Sequence, residues 1–248
     1  MARFGRPHLH LRTTDSTNER ARELAESGAP SGTVITADVQ RAGRGRRGRT
    51  WSAPAGKALL YSALLRSLDE RHALLPLAVP LAVCDAIEAL APLSCRVKWP
   101  NDVWVDERKL AGVLIEARPP DWAVIGIGVN VAIQPEEFAE DLRWPAASIG
   151  HGVTVAAMSA AVNGALSARV GEPAAATVAD FRERDALRDR EVRWESARSA
   201  ADGGEGEDGG EAHGVARGID ERGNLIVETA DGDSLALGSG EVSLRVSA

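Results

Sequence analysis

The sequence predicts an α+β protein in two parts: a larger domain over residues 1–188, then a small β-rich module over 189–248. Three observations lead there. Up to residue 188, β-branched runs of strand length alternate with segments of helical apolar spacing. Beyond it only short strand-like pieces remain, separated by tight-turn residues. The length of 248 residues with 44% apolar content fits one large core plus an appendage.

Each element has a local reason. Ser16 followed by Glu19 reads as a capping box opening a helix over Glu19–Ala25, and Gly28 as its stop. Thr33–Val39 and Ala58–Leu65 read as strands. Leu74–Leu90 has helical spacing, with Pro76 and Pro80 at its start or kinking it. Arg96–Trp99, Val103–Val105 and Leu110–Glu116 read as strands joined by turns at Pro100-Asn101-Asp102 and Asp106-Glu107-Arg108. Trp122–Val131 is a further apolar strand interrupted by Gly126 and Gly128, and Val155–Val170 and Ala174–Leu187 read as helices. In the small module, Glu191–Glu195, Gly214–Ile219, Leu225–Glu228, Ser234–Leu237 and Val242–Val246 read as strands. Glu221-Arg222-Gly223-Asn224 and Asp231-Gly232-Asp233 turn between them. Residues 201–211, almost wholly Gly, Glu and Asp, read as a disordered acidic insert.

Composition excludes several classes. A net charge of −7 and a pI near 5.4 argue against a general nucleic-acid binder. No apolar run approaches the roughly 20 residues that span a bilayer. The first ten residues lack the apolar stretch of a secretion signal. Cys84 and Cys95 have no metal-ligand spacing and read as buried thiols of a cytoplasmic protein. Lysine occurs only at 57, 98 and 109.

Four motifs carry chemistry. Asp15-Ser16-Thr17-Asn18 presents hydroxyls and an amide at a helix start, which serve a small polar ligand or merely cap the helix. Gln40 precedes Gly43-Arg44-Gly45-Arg46-Arg47-Gly48-Arg49 and Trp51. Glycines let the backbone approach a ligand and arginine forks match phosphate oxygens, so this is either a phosphate-covering loop or a solvated basic turn. Lys98-Trp99-Pro100-Asn101-Asp102 and Lys109-Leu110-Ala111-Gly112 set a lysine at the head of a strand, where an ammonium can neutralise a carboxylate or simply sit on a hairpin surface. Gly126-Ile127-Gly128-Val129-Asn130-Val131 marks close approach of a ligand or of a packed helix. It lacks the third glycine and the following helix of a dinucleotide fingerprint.

All four motifs, in this order, resemble the biotin–protein ligases. The resemblance covers about Asp15 to Val131 and resumes with Gly218-Ile219-Asp220 and Gly240-Glu241-Val242-Ser243-Leu244-Arg245. It implies a class II aminoacyl-tRNA synthetase-like domain, a mixed sheet with helices, followed by an SH3-like barrel. It also implies activation of biotin by ATP with Mg²⁺ to biotinyl-5′-AMP, then transfer to a lysine of a biotin carboxyl carrier domain, as in acetyl-CoA carboxylase. Carried over residue by residue, Ser16, Thr17, Asn18, Gln40, Arg44, Gly45, Arg46, Lys109 and Gly112 would bind biotin. Arg44, Arg46, Trp51, Lys109, Asn130, Glu241 and Arg245 would border the nucleotide, with Lys109 and Arg46 catalytic. No metal ligand follows from the side chains. Many such ligases carry an N-terminal DNA-binding domain, and the fourteen residues before Asp15 are too few for one, so no DNA partner is expected; no membrane and a monomer or weak homodimer are expected as well. A lipoate or octanoate ligase of the same fold is the competing enzyme reading.

Overall fold

We describe the protein from a computed structural model over residues 3–140, 142, 144–195, 211–238 and 245–246. Its elements in chain order are β1 (His8–Thr14), α1 (Thr17–Glu26), β2 (Val34–Gln40), β3 (Ala58–Arg66), α2 (Leu75–Glu88), β4 (Arg96–Lys98), β5 (Asp102–Val105), β6 (Arg108–Arg118), β7 (Trp122–Asn130), α3 (Val155–Arg169) and α4 (Ala174–Arg184). The second part holds β8 (Glu191–Glu195), β9 (Glu211–Ile219), β10 (Leu225–Thr229), β11 (Ser234–Leu237) and β12 (Arg245–Val246).

The first seven strands form one mixed sheet in the order β1-β2-β3-β7-β6-β5-β4, with β1 parallel to β2 and the other pairs antiparallel. The central strand β3 is buried over eight of its nine residues, which explains its unbroken apolar run. Its odd-numbered residues Leu59, Tyr61, Ala63 and Leu65 join α2 and α3 in the main core, whereas Leu64 on the other face packs with α1 through Ala21 and Ala25. That second face, left open beyond α1, becomes the floor of the site. Among the described residues no helix is long and apolar enough to cross a membrane.

The structure corrects the local reading at three points. A strand, β1, precedes the first expected element. Its residues are mostly exposed, so hydrophobic alternation gives no signal. Pairing to β2 carries it, and His8 Nε2 and His10 Nδ1 both reach Thr36 Oγ1 on that neighbour, at 2.8 and 2.9 Å. The expected capping box is absent, since Ser16 makes no side-chain cap bond. The helix α4 stops at Arg184, because Asp185 leaves the helix to bridge Val97 of β4 in extended conformation. Pro76 sits in the first turn of α2 and Pro80 inside it.

The second part is a five-stranded antiparallel sheet in the order β11-β10-β9-β8-β12. Its core is not separate. Val192, Trp194, Ala216, Ile219, Leu225 and Val227 belong to the same buried cluster as α2 and β3. The fully buried Trp99 donates its Nε1–H to the carbonyl of Gly223, 3.0 Å away in the β9–β10 turn. Gly223 has φ +81°, and a Cβ there would meet Leu77 Cδ1 at 3.0 Å. Residues 201–210, most of the acidic insert, lie outside the described residues, while Glu211 already belongs to β9.

Candidate active site

The open face of the sheet has a floor without side chains. Gly112 of β6 pairs with Gly128 of β7, and Gly126 follows two residues away on the same face. What approaches there is visible. A Cβ at Gly126 would lie 2.1 Å from Asn18 Oδ1, and one at Gly128 would lie 2.4 Å from Trp51 Cε2. The glycines are where the start of α1 and the glycine-arginine loop touch the sheet.

The first turn of α1 is tied down by side chains from the sheet. Gln40 Oε1 accepts from the Thr17 backbone N–H at 2.7 Å and from Thr17 Oγ1 at 3.0 Å, replacing the missing side-chain cap. Ser62 Oγ on β3 lies 2.8 Å from Thr17 Oγ1 and 2.6 Å from Asn18 Oδ1. Asn18 Nδ2 donates to Glu116 Oε2 at 2.8 Å and to the Leu114 carbonyl at 3.3 Å. Ser16, Thr17, Asn18 and Ser62 are all buried, so this polar patch is preorganised beneath the opening.

The glycine-arginine loop folds back as a tight flap. Gly45 N–H donates to the Arg49 carbonyl at 2.7 Å, Trp51 N–H to the Gly43 carbonyl at 2.9 Å, and Arg47 turns through left-handed backbone (φ 56°, ψ 44°). A Cβ at Gly43 would stand 2.2 Å from the Trp51 carbonyl oxygen, so the flap closes only on glycine. Arg46 Nη1 donates to Asn101 Oδ1 at 3.3 Å, and Arg44 Nη1 lies 3.4 Å from Glu116 Oε1. Burial lowers the Arg46 pKa, its neighbour Arg47 adds to that, and Asp102 opposes it.

Opposite the flap, Lys109 Nζ pairs with Asp102 Oδ1 at 2.8 Å and stands 5.6 Å from the Trp51 ring centroid. Lys109 is therefore anchored to a buried carboxylate instead of waving from a hairpin edge. Asn101 Nδ2 donates to the Val113 carbonyl at 3.0 Å, which fixes the turn carrying both groups. Lys98 is buried in the same wall with its Nζ 4.6 Å from the Trp144 ring and 5.5 Å from Trp104. The third lysine, Lys57, pairs with Glu137 and is not among the residues lining the pocket.

Ser16, Thr17, Asn18, Gln40, Arg44, Gly45, Arg46, Trp51, Lys109 and Gly112 thus line one pocket. Asn130 is not in its lining. It is buried at the end of β7 and donates to the Ala147 carbonyl at 2.9 Å. Glu241 lies outside the described residues, and Arg245 falls in β12, paired to β8. Three residues that organise the pocket carried no role in the sequence reading. Asp102 stood inside a recognised motif, and a lysine aimed at an anion is itself a signal for a carboxylate partner. Ser62 and Glu116 are single polar residues on strands, and only pairing register reveals them. Among the described residues no group of three or more His, Cys, Asp or Glu could hold a metal ion. Chemically, the arrangement offers an anion a group of cations, Arg44, Arg46, Arg47, Arg49, Lys98 and Lys109, above a buried hydrogen-bonding floor.

Comparison with known proteins follows the same lines. The Biotin/lipoate A/B protein ligase family matches residues 10–130, and the Biotin protein ligase C terminal domain matches 205–245. The bifunctional ligase/repressor BirA of Escherichia coli (strain K12) is 33% identical over 252 residues, covering 95% of this chain and 73% of its own. The biotin–[acetyl-CoA-carboxylase] ligase of Mycobacterium tuberculosis is 42% identical over 135 residues, 52% of this chain and 50% of its own. Against that protein and the two Bacillus ligase/repressors, the match spans about half of the relative's length. Among solved structures, the biotin protein ligase from Aquifex aeolicus in complex with biotin and ATP is similar with a TM-score of 0.80 and 28% identity, over 98% of this chain and 100% of that one.

Proposed function

The chain belongs to the biotin–protein ligase family, and from that premise we propose that it activates biotin with ATP to biotinyl-5′-AMP and passes biotin to a lysine of a biotin carboxyl carrier domain. The observation that carries this reading is the convergence of Ser16–Asn18, Gln40, the glycine-arginine flap and the Lys109–Asp102 pair on one pocket.

Each group has a chemical task. Ser16, Thr17, Asn18 and Gln40 offer hydroxyls and amides to the polar head of biotin, an otherwise apolar bicycle, with Arg44 to Arg46 bordering the site. The Lys109 ammonium has three donors, of which Asp102 takes one. The others face the biotin carboxylate and hold it against the α-phosphorus. A carboxylate oxygen forms the new bond to that phosphorus, and the bond to the leaving pyrophosphate breaks. Arg44 and Arg46 offset the charge that builds on the phosphoryl oxygens. Asn130 lies near the adenylate in this reading, with Glu241 and Arg245 on the nucleotide side and Trp51 against adenine. Mg²⁺ held by the phosphates of the nucleotide would supply further positive charge there. In the second step a carrier lysine attacks the acyl carbon and AMP leaves. The mixed anhydride hydrolyses readily, which gives a flap that excludes water a purpose.

The test is pyrophosphate release with Mg-ATP and a carrier domain, in parallel with biotin, lipoate and octanoate. Biotin-dependent release together with one modified carrier lysine is expected. Release that depends on lipoate or octanoate and ignores biotin would overturn the assignment in favour of the related acyl ligases.

A further inference from the structure

Glu116 links two parts of the pocket that come from distant sequence. One carboxylate oxygen, Oε2, accepts from Asn18 Nδ2 at 2.8 Å. The other, Oε1, lies 3.4 Å from Arg44 Nη1. Asn18 is buried in the first turn of α1, and Arg44 is half exposed at the base of the flap. The Glu116 side chain itself is only 24% exposed, on β6 two residues beyond Leu114 of the pocket lining. Its position is set by pairing to Val124 on β7, not by a surface choice.

We propose that Glu116 is a positioning residue: it fixes the Asn18 amide over Gly126 and latches the glycine-arginine flap through Arg44. This deepens the ligase reading and rests on it for the ligand. Asn18 Oδ1 lies close against Gly126, 2.1 Å from where a Cβ would stand. With Ser62 at Oδ1 and Glu116 at Nδ2, both ends of the amide are assigned and it cannot flip. The flap carries Arg44, Arg46, Arg47 and Arg49, whose mutual repulsion favours opening. Glu116 is a carboxylate from the sheet that opposes this at the hinge side, while Asn101 and Asp102 do so at Arg46. The site for the biotin head and the flap over the phosphates are thus held by the two oxygens of one side chain.

Two variants separate the two tasks. Glu116→Gln keeps an acceptor for Asn18 and removes the charge facing Arg44. Glu116→Ala removes both. In Glu116→Gln, trypsin should cut after Arg44 to Arg49 faster than in wild type in the absence of ligand. Biotinylation of bystander proteins should rise. In Glu116→Ala, KM for biotin should rise about 3- to 10-fold above that of Glu116→Gln, the worth of one lost hydrogen bond. Glu116→Asp, which keeps the charge on a shorter arm, should partly restore resistance to trypsin. Equal tryptic cleavage and equal bystander labelling in Glu116→Gln and wild type would overturn the latch. Equal KM for biotin in Glu116→Ala and Glu116→Gln would overturn the role toward Asn18. The trypsin arm needs no ligand, so it reads the latch even if the wild-type protein released no pyrophosphate with biotin, an outcome that would instead refute the proposed function.

Discussion

Replacing Gly128 by Ala puts one methyl group where the indole of Trp51 lies. The new Cβ would stand 2.4 Å from Cε2, 2.7 Å from Cζ2 and 2.8 Å from Nε1. Carbon atoms settle at about 3.5–4.0 Å, so roughly 1 Å of separation is missing. Gly128 is paired on both sides, to Leu60 of β3 and Gly112 of β6, so the backbone cannot retreat. Trp51 sits in a flap and must move instead. Such overpacking costs about 1–3 kcal/mol, which appears as a reduction of roughly 5- to 150-fold in the population or rate that needs the closed flap. The assay is biotin-dependent pyrophosphate release in a double-mutant cycle with Trp51→Ala. In the Trp51→Ala background the alanine at 128 meets no indole, so the further loss should shrink to about twofold or less. Circular dichroism and melting serve as controls that the sheet is intact. A full Gly128→Ala penalty in both backgrounds would refute the reasoning, because the clash would then not be with Trp51.

Three other outcomes follow from the geometry. Lys109→Ala should lower adenylation by about 10- to 100-fold through loss of a charge-assisted contact, and it should also lower the melting temperature by taking the paired ammonium from the buried Asp102 carboxylate. Adding Asp102→Asn should recover the melting temperature but not the rate, and unchanged adenylation in Lys109→Ala would remove it from the site. Biotin plus ATP should protect Arg44 to Arg49 from trypsin, and Arg46→Gly should release adenylate onto bystander lysines; identical digestion with and without ligands would sink the gate. Burial raises the Asp185 carboxyl above its ordinary range, against an opposing hydrogen bond from the Leu187 N–H at 2.8 Å. The native state therefore holds this proton to higher pH than the unfolded chain does, and the associated stability is complete below the unfolded pKa and lost as pH rises through the native one. Urea melts of Asp185→Asn across that acidic range should lack this slope, and an unaltered slope would contradict the assignment.

What was legible in the sequence divides along physical lines. Interior strands such as β3 and β7 announce themselves because burial on both faces demands apolar runs, and α2 does so despite two prolines. Motif residues whose chemistry is unusual for their context, the four arginines and Lys109, line the pocket. The edge strand β1 gave no signal because its side chains face solvent and its hydrogen bonds are made by the backbone. Ser16 misled for a related reason: a serine before a helix caps it in isolation, but here Gln40, 23 residues away from Thr17, supplies the acceptor. Glu116 was silent because its meaning depends on β6 lying beside β7 and beneath α1, a fact of register that no local window contains.

The bond from Trp99 to Gly223 bears on how such a protein can be rebuilt. The indole belongs to the pocket wall, yet its acceptor is a turn of the C-terminal sheet more than a hundred residues later. A fragment ending before β8 would take that acceptor from the indole and strip Val192, Trp194 and Leu225 from the core they share with Trp99. The small sheet is therefore not an exchangeable cassette. A chimaera that borrows this module from a relative must also bring a backbone carbonyl to the same point in space. In a split-protein reporter cut between α4 and β8, the two halves should associate through that bond and the apolar core they share.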